Sequence, residues 1–274
     1  METQYLKILH HLLTQGSRRD TRSGTTYSSF GHILECDLND GFPLLTTKKM
    51  FWRGIVEELA WFLRGSTDVT ELRSSKVHIW DGNTEDRNYD AGPVYGFQWR
   101  HSGASYTTCK SDYKNRGKDQ IKEIIHLIKR DPTSRRIFLS AWNPMQQEQM
   151  ALPPCHVSYQ FYVDSDNKLH CQMYQRSADV FLGLPFNMAS TALLTHLLAH
   201  ETDRKVGKLR MVIGDAHLYE EHAGVAAKQM KRVPFKFPTI EIDRVKDGLW
   251  NVQRSDIKMS KYKSHGSLKA KMAV

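Results

Sequence analysis

Two periods of apolar residues succeed one another along the chain, and each change of period marks an element. Leu6, Leu9 and Leu13 recur at helical spacing over residues 3–15, and Gly16 closes the run. Residues 25–38 read as extended and end in the turn Asn39-Asp40-Gly41. Ile55, Leu59 and Phe62 share a helical face over residues 50–64, with Gly65 just past the end. Ile121, Ile124, Ile125 and Ile128 repeat that pattern over residues 119–130, and Asp131-Pro132 stops it.

The centre switches to a period of two. Ile137–Trp142 reads as a short strand. Val157, Tyr159, Phe161 and Val163 alternate with His156, Ser158, Gln160 and Tyr162. Leu169, Cys171 and Met173 alternate with His170, Gln172 and Tyr174, so Asp164–Lys168 is a hairpin turn. The helical period returns over Phe186–Glu201 with Leu194, Leu197 and Leu198. A strand at Leu209–Ile213, a helix near His217–Lys231 and short strands near Phe237–Ile242 and Leu249–Val252 complete the reading. This order is neither regular βαβ nor purely antiparallel, and it predicts one α+β domain over residues 1–274.

Composition narrows the class. A chain of 274 residues, 40% hydrophobic and 25% charged, is that of an ordinary globular protein. No apolar run approaches the roughly 20 residues that span a bilayer. With no leader at Met1-Glu2-Thr3-Gln4, a cytoplasmic or nuclear protein is expected. Cys36, Cys109, Cys155 and Cys171 are scattered and read as free thiols. The net charge of +9 suits anionic small molecules or nucleic acid equally.

A few positions carry candidate chemistry. Cys155 follows Leu152-Pro-Pro and opens an alternating strand, with His156 beside it. A buried cysteine is most often a small hydrophobe, whereas a nucleophilic one needs a lowered pKa, which Arg176 is placed to supply. Gln175-Arg176-Ser177-Ala178-Asp179 gathers a cation, a hydroxyl and a carboxylate; a surface loop with an ion pair is the plain alternative. Arg135-Arg136 offers two more forks or a solvated edge. Asn187 starts a helix, where it either caps or reads a cyclic amide. Gly214-Asp215-Ala216-His217-Leu218-Tyr219 offers His and Tyr to a sugar hydroxyl, against a cap by Asp215. His196 and His200 stand four apart but lack the glutamate of a zinc-protease motif, so no metal is expected.

Taken in order, the segments are specific. They are Arg22-Ser-Gly-Thr, Phe42-Pro-Leu-Leu-Thr-Thr-Lys48, Glu57-Glu58-Leu-Ala-Trp61-Phe62, Ile79-Trp80-Asp81 and Gly92-Pro-Val-Tyr95-Gly-x-Gln98-Trp99-Arg100. Then come Ser134-Arg135-Arg136-Ile137, Leu152-Pro-Pro-Cys155-His156, Tyr174-Gln-Arg176-Ser177, Gly183-Leu-Pro-Phe-Asn187 and Gly214-Asp215-Ala216-His217-x-Tyr219, with the ending Met272-Ala273-Val274. Over nearly its whole length the chain resembles the thymidylate synthases.

That resemblance implies a central mixed sheet with one face at a homodimer interface. It also implies methylation of dUMP to dTMP with 5,10-methylenetetrahydrofolate. Cys155 would add to carbon 6 of uracil, with Glu58 and Tyr95 moving protons. Arg22, Arg176 and Ser177 match phosphate ligands, and Arg135 and Arg136 match a pair lent by the opposite subunit. Asn187 matches the reader of the uracil edge, beside His156, and His217 and Tyr219 match the deoxyribose contacts. Asp179 matches the pterin partner. Trp80, Asn83, Leu182, Gly183 and Phe186 match the folate wall, Lys48 the glutamate tail and Val274 the closing carboxylate. The loop at Arg22 is one residue shorter than usual. The tail Tyr262-Lys-Ser-His265-Gly lacks the usual prolines, which predicts mobility before ligand binds. Ala60 and Ala91, where Leu is frequent, read as packing changes. A hydroxymethylase of the same fold is the near alternative, and Asn187 argues for uracil over cytosine. A regulator that binds RNA is the alternative from another class, at most a secondary activity.

Overall fold

The computed structural model describes residues 1–243 and 245–272. Its helices form where the apolar stripes fall. In α1 (Glu2–Gln15) the stripe of Tyr5, Ile8, Leu9 and Leu12 is buried. A hairpin of β1 (Ser17–Thr21) and β2 (Gly24–Asp37) follows. Then come α2 (Trp52–Arg64), α3 (Val69–Ser74), α4 (Asp81–Thr84), α5 (Tyr95–His101) and α6 (Gln120–Arg130). Gly65 ends α2 at φ 76°, a left-handed position that costs glycine little. Asp119 caps α6 by accepting from Lys122 N.

The second half is built on β3 (Phe138–Ser140), β4 (His156–Val163), β5 (Lys168–Asp179), α7 (Gly183–Glu201) and β6 (Lys205–Tyr219). The chain finishes with α8 (Ala223–Met230) and the hairpin of β7 (Thr239–Ile242) and β8 (Ile257–Ser260). Six strands pair in the order β1-β2-β6-β5-β4-β3. All neighbours are antiparallel except β5 and β6, which run parallel and are joined through α7. The sheet is therefore mixed and the fold α+β, as expected. Helix α7 is buried on nearly every side, so its apolar residues show no single stripe. The other sheet face leaves Phe30, Ile33 and Tyr162 83%, 60% and 63% exposed. Among the described residues no helix is long and apolar enough to cross a membrane.

Several local expectations are corrected. Strand β6 continues through Tyr219, so Asp215 and His217 lie in a strand and the next α-helix waits until Ala223. Residues Leu249–Asn251 form a 3-10 turn, and the second strand of the terminal hairpin is β8. Helix α7 starts at Gly183, so Asn187 sits in its second turn and does not cap it. Between His156 and Ser158 the register of β4 against β5 slips, because Val157 is a bulge. The bulge puts His156 on the same buried side as Tyr159, where simple alternation had put it opposite. Without the usual prolines, the tail still makes hydrogen bonds to the body of the domain. His265 N donates to Thr46 O at 2.8 Å, Arg232 to Gly266 O at 2.8 Å, and buried His222 Nε2 to Lys271 O at 2.8 Å.

Glu2 links α1 to the loop after β2. Its carboxylate, 3% exposed, accepts from Thr46 N and Thr46 Oγ1 at 2.8 Å each and from Thr47 N at 2.7 Å. Removing it strands buried donors, so Glu2→Ala should cost about 3 kcal/mol in urea unfolding. A loss below about 1 kcal/mol would refute the role.

Candidate active site

One end of the sheet opens into a cavity of about 860 Å³. That is room for a drug-sized or nucleotide-sized ligand. Cys155 stands on its wall at the mouth of β4. Arg176, on β5, is bolted to the turn before it. Its Nε donates to Pro154 O and its Nη2 to Pro153 O, both at 2.8 Å, while its backbone N donates to Cys155 O at 2.9 Å. The two prolines have no N–H of their own, and their carbonyls are free to fix the guanidinium. Arg176 lines the cavity, and its Cζ lies over the Trp142 ring at 5.6 Å from the centroid.

The thiol departs from expectation. Burial pushes Cys155 above its ordinary pKa; the Arg176 charge and a bond with Tyr95 pull it back without prevailing. Tyr95, at the start of α5, accepts from Cys155 N at 2.8 Å. Its ring stacks on His156 at 4.1 Å between centroids. His156 is driven down to about 3 by burial alone, so it is neutral. Its Nδ1 lies 2.5 Å from the Tyr159 hydroxyl, a pairing that the bulge at Val157 makes possible.

Across the cavity, α2 supplies Glu58, 9% exposed. Trp80 Nε1 donates to its Oε1 at 2.8 Å, which favours the carboxylate, but burial wins and raises its pKa from 4.5 to about 7. Asn187 projects from the second turn of α7. Gln175 Nε2 donates to Asn187 Oδ1 at 2.9 Å and to Ser177 O at 3.0 Å. A carbonyl only accepts, so the second bond fixes which end of the Gln175 amide is nitrogen. The first bond then fixes the Asn187 amide, leaving its Nδ2 for a ligand.

Arg22 lies in the β1–β2 turn, where Thr21 pairs with Gly24 and leaves a two-residue loop. Arg22, Ser177, His217 and Tyr219 line the cavity, as do Trp80, Asn83, Leu182, Gly183 and Phe186. Asp179 lines it too, and its Oδ1 accepts from Phe181 N and Leu182 N at 2.9 and 3.0 Å.

Lys48, Arg135 and Arg136 stand away from the cavity lining. Lys48 lies behind the wall, 5% exposed, with its ammonium on Phe181 O and over the Phe181 ring at 4.0 Å. Burial lowers it to about 8, against the pull of Asp179. Arg135 and Arg136 are exposed before β3 and do not reach this cavity. Val274 falls outside the described residues, although Ala270 and Met272 line the cavity. His196 is a half-buried ring beside Phe42, lowered to about 4 by desolvation.

Sequence reasoning missed Gln175, Arg19 and Asp215 as site residues. Gln175 left a signal: it is a polar residue on the inward side of an alternating strand, and it is 1% exposed. Arg19 left none, since every residue of β1 is exposed.

The Glu58 pKa has a consequence for stability. The folded state holds this proton more tightly than the unfolded chain, so stability falls as pH rises from 4.5 to about 7. Glu58→Gln should therefore match the parent at pH 4 and exceed it by about 3 kcal/mol at pH 8 in urea unfolding, while turnover drops at least about a hundredfold. Equal stability at pH 8 would refute the buried proton.

A family profile for thymidylate synthase matches residues 3–274. A bifunctional dihydrofolate reductase-thymidylate synthase of Paramecium tetraurelia is 48% identical over 285 residues, covering 100% of this chain and 61% of that protein. The bifunctional protein of Zea mays is 46% identical over 286 residues, 100% of this chain and 54% of that protein. The chain thus spans a little over half the length of these bifunctional relatives. The thymidylate synthase of Herpesvirus ateles is 48% identical over 286 residues, covering 100% of this chain and 98% of that protein. With a thiol, a fixed amide and a buried carboxyl on one cavity, and with this likeness over its full length, the chain belongs to the thymidylate synthase family.

Proposed function

We propose that the chain converts dUMP to dTMP, with 5,10-methylenetetrahydrofolate as co-substrate and dihydrofolate as second product. Residues 1–274 are read as one catalytic domain. The observation that carries this reading is that Cys155 and the fixed amide of Asn187 line the same cavity. A uracil ring needs both: a nucleophile to break its conjugation and a partner to hold its edge. The cavity also suits a folate. Trp80, Leu182 and Phe186 make an apolar wall for a flat ring, Asn83 and Gly183 extend it, and Asp179 offers a carboxylate to ring N–H donors. When bound, the folate supplies a one-carbon unit and a hydride.

The protein's own groups account for the rest. The Cys155 thiol gives up its proton to solvent, its sulfur bonds to carbon 6, and the electron pair of the C5–C6 double bond shifts toward O4, which makes carbon 5 nucleophilic. Asn187 donates from Nδ2 to uracil O4 and accepts N3–H on the second lone pair of Oδ1. Cytosine presents the reverse order, and the bond from Gln175 keeps the amide from turning over to suit it. Glu58, titrating at about 7, holds or releases a proton at neutral pH. With Tyr95 it serves the proton of carbon 5. The sulfur leaves as the C5–C6 double bond is restored. Arg22, Arg176 and Ser177 take the phosphate, His217 and Tyr219 the deoxyribose hydroxyl. His156 backs Tyr95. The tail at Ala270 and Met272 excludes water.

A second copy completes the site in this reading. The sheet face bearing Phe30, Ile33 and Tyr162 is apolar and open. Pairing such faces is how an exposed apolar sheet is covered, and it would carry Arg135 and Arg136 to a neighbour's phosphate.

Two measurements test the proposal. Tritium at carbon 5 of dUMP should be released only with methylenetetrahydrofolate, alongside absorbance from dihydrofolate. Release without dihydrofolate, and a product one oxygen heavier than dTMP, would mark a hydroxymethylase instead. Cys155→Ser should lose turnover and keep dUMP binding. For the second copy, mixing Cys155→Ser with the double variant Arg135→Ala/Arg136→Ala should restore activity that neither has alone. No recovery from a mixture shown to exchange subunits would sink the shared site.

A further inference from the structure

The far corner of the cavity holds an ion pair that the mechanism does not use. On β6 the alternation of a strand sends Asp215, His217 and Tyr219 to one side, and all three line the cavity. Asp215 Oδ1 lies 3.1 Å from His217 Nδ1. Its other oxygen, Oδ2, accepts from Arg19 Nη1 at 2.9 Å. Arg19 reaches it from β1 across β2, because Arg19 pairs with Thr26 and Thr26 with Tyr219. The Tyr219 ring meets His217 edge-on at 5.5 Å. The His217 side chain is 16% exposed, Asp215 36% and Arg19 59%.

We propose that Asp215, braced by Arg19, is a positioning residue that makes His217 read the sugar 3′-hydroxyl of the nucleotide as a donor. This rests on the dUMP reading for the identity of the sugar. A carboxylate has no proton to give, so the His217 nitrogen facing it carries the hydrogen. In the neutral ring the other nitrogen, Nε2, is then an acceptor and nothing else. A hydroxyl donates to it and meanwhile accepts from the Tyr219 phenol, so hydroxyl, His217 and Tyr219 satisfy one another. A sugar with no 3′-hydroxyl leaves both polar groups unpaired, and discrimination of this kind exceeds what an apolar contact provides. Arg19 keeps the carboxylate turned to the ring. As an exposed pair it acts more weakly than Asp215 itself.

The test compares nucleotide affinity by calorimetry, using dUMP and 2′,3′-dideoxyuridine 5′-monophosphate on the full chain. Asp215→Asn should weaken dUMP binding about tenfold, because its amide no longer dictates the tautomer, and Arg19→Gln about twofold to threefold. Neither should change binding of the dideoxy nucleotide by more than about twofold, since the lost interaction is absent there. Nitrogen-15 shifts of the His217 ring should show hydrogen on Nδ1 in the parent and a mixture in Asp215→Asn. An equal penalty on both nucleotides, or a parent that binds them equally, overturns the proposal. Should Asp215→Asn unfold, Arg19→Gln and the parent ring shifts decide it. Missing tritium release from dUMP defeats the reaction, and an intact affinity pattern would then keep this inference standing alone.

Discussion

The site depends on strand direction. Strands β5 and β6 run parallel with α7 between them, so their carboxyl ends finish on the same side of the sheet. Arg176, Ser177 and Asp179 end β5, Asp215, His217 and Tyr219 end β6, and α7 delivers Asn187 over the gap. Because β4 is antiparallel to β5, its beginning, Cys155-His156, falls at that end too. The β1–β2 turn bearing Arg22 arrives there for the same reason, as β2 is antiparallel to β6. Ligands in sheets with parallel strands collect beyond the carboxyl ends of those strands, and this cavity obeys that rule within a sheet that is otherwise antiparallel.

The cavity works through desolvation. Burial is the leading cause acting on Cys155, His156 and Glu58, and it moves each toward its neutral form. For Glu58 the result is a proton available near neutrality. For His156 it is an inert, neutral ring that can pack against Tyr95. For Cys155 it is a resting thiol, with the Arg176 charge only partly offsetting burial. A neutral thiol is protected from stray chemistry, and the cost is that it must lose its proton before the sulfur can act as a nucleophile.

Periodicity revealed the elements that bury a face. Helices α1, α2 and α6 and the hairpin of β4 and β5 were legible because Leu, Ile and Phe recur on one side only. Strand β1 was not, because none of its residues is buried and only pairing with β2 defines it. The true length of β6 was hidden by Gly214-Asp215, polar and flexible residues that end strands elsewhere. The side on which His156 lies was lost to a single bulged residue. Most members of the site were legible through ordered motifs, whereas their couplings were not. That Gln175 fixes Asn187, or that Lys48 ends on Phe181, depends on distances set by the fold.

The open sheet face follows from the same layout. Helices α1 and α7 cover one side of the sheet and leave Ile33, Val212 and Tyr174 in register on the other, a row across β2, β6 and β5. Polar residues at these positions would have been simpler for an isolated domain, since exposed aliphatic and aromatic side chains in a row invite association. Arg135 and Arg136 sit just before the last strand of that sheet, exposed and remote from their own cavity. The second copy proposed above would account for both facts together. It would remove the apolar row from water, and it would give the two guanidiniums a phosphate that their own chain does not bring to them.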